Sequence, residues 1–215
     1  MSDTDHPIRI PPLPRERWTD AAREVFAFWG EPSAWENGSK TNMQMVMANH
    51  PPLATAFNHF GKQILIDTTA PAWARELVTL RVAWLMKVDY EWHYHVGYAL
   101  NLGMTLEQIA AIKEGGDAPA WSAIDAATLR MVDELRDTNT ICDTTWATLS
   151  AHFSTEQLMD LIFALGQYVM LGWAIHSFGI QVESGVDRVG YDLKTASGQT
   201  PAAGLKPGEN KDKAE

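Results

Sequence analysis

From Thr19 onward the apolar residues recur three and four positions apart, and no stretch alternates with a period of two between turn signals. That periodicity predicts helices from end to end and no sheet. Ala22, Val25, Phe26 and Trp29 mark a first helix that begins at Thr19-Asp20 and is stopped by Gly30 and Pro32. Trp35 to Lys40 reads as a polar loop. A Met-rich helix starts at Thr41-Asn42 and ends before Pro51-Pro52, with its methionines as core filler. The next run places Leu53, Phe57, Phe60, Ile64 and Leu65 on one broad face. Ala72 to about Met86 and Asp89 to about Leu102 follow as two apolar helices broken at Lys87-Val88, with Gly103 as a C-terminal stop.

Thr105-Leu106-Glu107-Gln108 and Ser154-Thr155-Glu156-Gln157 both fit the capping-box pattern, in which a hydroxyl and an amide satisfy each other's backbone donors. Between them lie an amphipathic helix from Ser122 to Arg136 and a short one opened by Cys142-Asp143. The last long helix runs through Ile175. Residues 1–14 are proline-rich and read as an extended arm, 15–185 as one helical domain, and 186–215 as a flexible tail. The expected fold class is therefore all-α. Phe153 to Phe178 is apolar nearly all round, which a single thin layer could not cover, so a homo-oligomer is expected.

Composition narrows the function classes. A net charge of -10 with no basic run argues against nucleic acid, because phosphate neutralisation needs clustered Lys and Arg. Cys142 is the only cysteine, which excludes an internal disulfide, a CxxC redox pair and a cysteine-built zinc site. The N-terminus lacks a basic region followed by an apolar one, and polar residues interrupt the apolar runs short of membrane-spanning length. A soluble, cytoplasmic protein without membrane contact is the expectation.

The chemistry concentrates in Arg75 to Gly103. Glu91 and His95 are four apart and can touch on one helix face, where a carboxylate orients an imidazole for proton transfer. Tyr90, Trp92 and Tyr94 around them suggest a partly dry setting. The plain alternatives are a surface pair for Glu91 and His95 and a first-turn acid for Glu76. His93 lies two positions from His95 and points about 200° away, so no metal site is expected. Arg81 could grip a carboxylate through its planar fork or pair within the chain.

These residues carry a resemblance. Arg75-Glu76-Leu77, Leu80-Arg81-Val82 and Tyr90-Glu91-Trp92 with His95, followed by Ala99, Gly103 and Ile109, are similar to the carboxymuconolactone decarboxylase family and its alkylhydroperoxidase D-type relatives. Weaker likeness around Pro51-Pro52-Leu53 and from Phe153 to Glu183 extends it over roughly residues 14–185. In the redox relatives a glutamate, two cysteines and a histidine fall at Glu76, Val88, Glu91 and His95. Both cysteine positions are lost here, and thiol chemistry does not carry over.

The resemblance implies an alkylhydroperoxidase D-like helical bundle, trimers or hexamers with sites near subunit contacts, and no metal or organic cofactor. His93-Tyr94-His95 departs from the family's more usual adjacent histidine pair. The function so implied is a cofactor-independent decarboxylase acting on a small lactone or aromatic-derived acid. In it His95 is general acid, Glu91 its orienting partner and Glu76 a second relay. Tyr90 or Tyr94 donates to an enolate oxygen, and Arg81 holds a carboxylate. An isomerase or hydratase using the same pair, and a non-catalytic oligomer that binds a small molecule, are the alternatives.

Overall fold

Ten consecutive residues, Ala74 to Ala83, are buried on every side of one helix, and the other elements pack around it. The structure is a computed structural model describing residues 6–31 and 33–194. Among them the helices are α1 (Asp20–Ala27), α2 (Ala34–Asn37), α3 (Asn42–Met47), α4 (Pro51–Leu65), α5 (Ala72–Met86), α6 (Asp89–Asn101), α7 (Leu106–Ala111), α8 (Ala123–Thr138), α9 (Asp143–Ser150) and α10 (Thr155–Phe178). Short 3-10 turns occupy Arg15–Arg17 and Ile112–Asp117. No strand occurs among the described residues, as the periodicity predicts.

The hub is α5, which packs against α6, α8 and α10. An all-apolar helix surface has to be covered on all sides, and these three neighbours do so. Leu77, Leu80, Trp92, Val96 and Ile109 form one core with α6 and α7, while Val78, Val82, Met131, Leu149 and Leu161 form a second with α8 to α10. Lys87 ends α5 in the left-handed region, with φ 60°, and the Val88 N–H closes back onto the Ala83 carbonyl at 2.9 Å. That reversal folds α6 back along α5 and sets Glu76 and His95 at similar heights on facing helices.

Both capping boxes form as predicted, at Thr105/Gln108 and Ser154/Gln157. The stretch expected as a polar loop contains the single turn α2, since Ala-Trp-Glu-Asn has no breaker until Gly38 at φ 82°. The arm is extended from residue 6 and lies on its own chain. Arg9 and Ile10 donate to the Phe178 carbonyl at 2.8 and 3.1 Å, and a side chain at Gly179 would meet the Pro7 carbonyl.

Two expectations change. Residues 186–194 are packed rather than free: Val189 is buried against His93, and the Tyr191 ring sits 5.1 Å from Trp92 and 5.2 Å from Trp84. Val189, Tyr191 and Leu193, all packed on the same core, anchor this otherwise polar stretch; residues 195–215 of the expected tail and 1–5 of the arm lie outside the described residues. The second change concerns α10, which is long and apolar enough to cross a membrane by length and hydropathy. Its isolated glutamines and histidine dilute that character less than anticipated. One face, including Leu161, Ala164 and Tyr168, packs inward as a core helix does.

Candidate active site

A cavity of about 180 Å³ opens beside α6, between α1, α3, α4 and α10. Phe26, Trp29, Met43, Phe57, Ile64 and Leu171 supply much of its apolar wall. Tyr90, Glu91, Tyr94, His95, Tyr98 and Gln167 bring the polar groups. A largely apolar hollow with a few convergent polar side chains is the usual form of a small-molecule site.

The partner of His95 is Glu76, not Glu91. The Glu76 Oε2 lies 2.7 Å from His95 Nδ1 across the α5–α6 contact, and both side chains are buried. Helical spacing permits the Glu91–His95 contact but does not demand it. The imidazole turns to the facing helix, where a carboxylate is already fixed. Tyr98 and Tyr168 meet the ring edge-on at 5.2 and 4.9 Å and hold its plane. With Nδ1 occupied by Glu76, Nε2 has no hydrogen-bond partner among the described residues and is the nitrogen left for a ligand.

Glu91 is 2% exposed, and neither carboxyl oxygen has a hydrogen-bond partner among the described residues. Burial alone pushes its pKa well above the ordinary carboxylate range, which favours the protonated form.

Tyr90 and Tyr94 line the cavity, yet both hydroxyls donate to Glu183, that of Tyr90 at 2.9 Å and that of Tyr94 by a shorter bond. The Asn42 N–H donates to the same carboxylate at 2.6 Å. Burial and the Glu183 charge raise both phenol pKa values, and the protons stay on oxygen. Neither phenol is a free donor. Tyr98, three residues beyond His95 on the same face of α6, has no hydrogen-bond partner among the described residues. Burial, then Glu76, raises its pKa. It is the unspent hydroxyl donor of the wall.

Arg81 stands outside the cavity. Its Nε and Nη2 both donate to Asp133 at 2.9 Å, and Nη1 donates to the Ile112 and Lys113 carbonyls at 2.7 and 2.9 Å. Those bonds commit all three nitrogens, which is the within-chain pairing left open by the sequence. His93 faces away from His95, as its spacing predicts, and its Nδ1 accepts the Val189 N–H at 3.0 Å. Among the described residues no group of three or more His, Cys, Asp or Glu side chains is placed to hold a metal ion. Val88 is buried, and Cys142 is exposed at the start of α9, where its Sγ meets Glu134 and Thr145.

Reading from sequence missed Tyr98, Gln167, Tyr168 and Glu183. Tyr98 had a signal, since Glu91, His95 and Tyr98 fall at i, i+4 and i+7. Gln167 had another, as an amide in the most apolar helix; its Oε1 is buried without a partner. Glu183 had none.

Comparison with known proteins bears on the family segment and on the fold. Residues 51–134 match the sequence model of the carboxymuconolactone decarboxylase family. The fold is similar to that of the alkylhydroperoxidase AhpD core of an uncharacterized peroxidase-related protein from Ralstonia eutropha JMP134. The TM-score is 0.68 at 14% identity, over 83% of this chain and 94% of that one. An uncharacterized peroxidase-related protein from Silicibacter sp. TM1040 gives 0.64 at 14% identity, over 86% and 94%. The debrominase Bmp8 gives 0.61 at 17% identity, over 81% and 92%. At these identities the likeness is one of fold, and the fold is the all-α AhpD-like one. No curated protein matches the chain in sequence.

Proposed function

We propose that this chain, with its carboxymuconolactone decarboxylase family segment and AhpD-like fold, is a decarboxylase that acts by proton transfer on a small lactone or aromatic-derived acid. The observation that carries the reading is the buried Glu76–His95 pair at 2.7 Å, opening onto an apolar cavity beside a second, buried carboxyl without a hydrogen-bond partner among the described residues. No cofactor is required by the chemistry. The carbon–carboxylate bond breaks, CO2 leaves, and its electron pair flows into a conjugated carbonyl as an enolate. Preorganised donors lower that barrier because the charge appears where they already point.

Tyr98 is the donor for the enolate oxygen. Once the imidazole carries both protons, Glu76 retains the Nδ1–H and stabilises the cation, while the Nε2–H is delivered to carbon. Burial, by raising the Glu91 pKa, works against a second negative charge beside the forming enolate. The partner state proposed is a soluble, cytoplasmic homo-oligomer. Met159, Phe163, Met170 and Trp173 form an exposed apolar stripe along α10 that a second subunit would cover.

The test is a screen of lactone and aromatic carboxylates for CO2 release by purified protein with no added cofactor. His95→Ala is expected to lower turnover by roughly 100-fold or more, and undiminished turnover refutes the role. A second reading, isomerisation of a neutral lactone or enol by the same pair, is favoured by one observation: Arg81, the guanidinium expected to hold a carboxylate, is spent on Asp133. Substrate loss without CO2 release selects it.

A further inference from the structure

A carboxylate entering an apolar cavity needs a cation, because an unpaired charge out of water is expensive. Arg81 cannot supply one. Among the residues lining the cavity, Lys40 is the sole lysine or arginine. It sits at the mouth, with its Nζ 2.8 Å from Glu31 Oε1, and Glu31 lines the same mouth. The Lys40 side chain is 72% exposed and that of Glu31 20%.

We propose that Lys40 reads the acid group of the ligand, exchanging its ion pair with Glu31 for one with a ligand carboxylate seated at the mouth. The inference rests on the cavity being the substrate site. Three features support it. An ion pair this exposed is worth little, so the exchange costs little. The pair, though weak, also shows that the Lys40 ammonium reaches the mouth. The chain's net charge of -10 repels acids from the surface generally, which leaves a cation at the mouth as the local attraction.

The occupant so defined is a single-ring acid, with its ring against Phe57 and Ile64 and its carboxylate towards solvent. Size agrees: a cavity of about 150 Å³ is enough to hold benzene, and this one is about 180 Å³. Glu31 becomes the competitor that sets how strongly an acid must bind to win Lys40.

Isothermal titration of the full chain with benzoate and with benzyl alcohol, which shares the ring but not the charge, tests the assignment. In Lys40→Met, which keeps the apolar stem, benzoate is expected to bind about 5-fold or more weakly while benzyl alcohol stays within about 2-fold. Glu31→Gln is expected to tighten benzoate and leave benzyl alcohol alone. High salt should weaken only the benzoate arm. Equal loss of both ligands in Lys40→Met, loss of neither, or no saturable benzoate binding by the unaltered chain overturns the proposal. Binding is read without turnover. A chain that discriminates charge through Lys40 yet releases no CO2 therefore refutes decarboxylation and leaves this role of Lys40 standing.

Discussion

Glu91→Gln isolates the one group whose charge state the fold dictates most strongly. In the unfolded chain the carboxyl titrates near its ordinary 4.5, whereas burial without a partner holds the folded group well above that. Between those two values the folded form keeps a proton that the unfolded form has lost. Stability must then fall as pH rises through that window, by about 1.4 kcal/mol per pH unit. It levels off only when pH passes the folded value. Glutamine cannot ionise, so the variant lacks this slope. Any fixed difference from burying an amide shifts its curve without tilting it.

The measurement is urea unfolding of both proteins at pH 5, 6, 7 and 8, at one ionic strength and one protein concentration, because an oligomer's stability depends on the latter. The variant should gain on the parent at every step above pH 5 until the folded group ionises. That gain is about 1.4 kcal/mol of unfolding free energy per pH unit. Parallel curves across the range would refute the reasoning, since they would mean that Glu91 ionises in the fold as it does in water.

Tyr98→Phe removes the cavity's unspent hydroxyl; turnover should drop by roughly 10- to 100-fold with unfolding unchanged, and equal activity would remove Tyr98 from the mechanism. Glu183→Gln weakens the carboxylate that receives Tyr90, Tyr94 and Asn42. It should cost about 1–2 kcal/mol in urea unfolding, discounted for its partial exposure. Trp173→Glu puts a charge on the α10 stripe, where the native side chain is 63% exposed. Sizing with light scattering should show the proposed oligomer dissociating, and an unchanged mass would count against this stripe as its interface.

Helix periodicity carried most of the fold, because the signals are local. Ala72 to Met86 is bounded by Pro71 on one side and by a left-handed Lys87 on the other, and both hydroxyl–amide boxes capped as written. What local pattern could not carry is choice of partner. Glu91 is one turn from His95 and Glu76 is 19 residues away, yet the long-range contact won, since α6 folds back along α5. Arg81 likewise looked available until α8 brought Asp133 across to it. The stretch 186–194 failed for the opposite reason. Its composition is that of a loop, and three apolar residues found slots that only the folded bundle offers.

The oddity of Glu91 bears on whether this site is chemical at all. On the resemblance read from the sequence, Val88 and Glu91 fall where the redox relatives are expected to place two cysteines. A thiol suits such a place, since free cysteine buries as a small hydrophobe, and fully buried Val88 obeys the same logic. A carboxyl does not. Leaving polar atoms sealed without a partner costs roughly 1–3 kcal/mol, which a leucine at the position would avoid. Nothing in α6 offsets that cost locally, because no donor reaches either oxygen among the described residues. On the proposed reading, the compensation is what a protonated carboxyl can do one turn before an imidazole whose other nitrogen is already held by Glu76. Stability and chemistry thus pull in opposite directions at Glu91, as they do where a site is built for reaction rather than for packing.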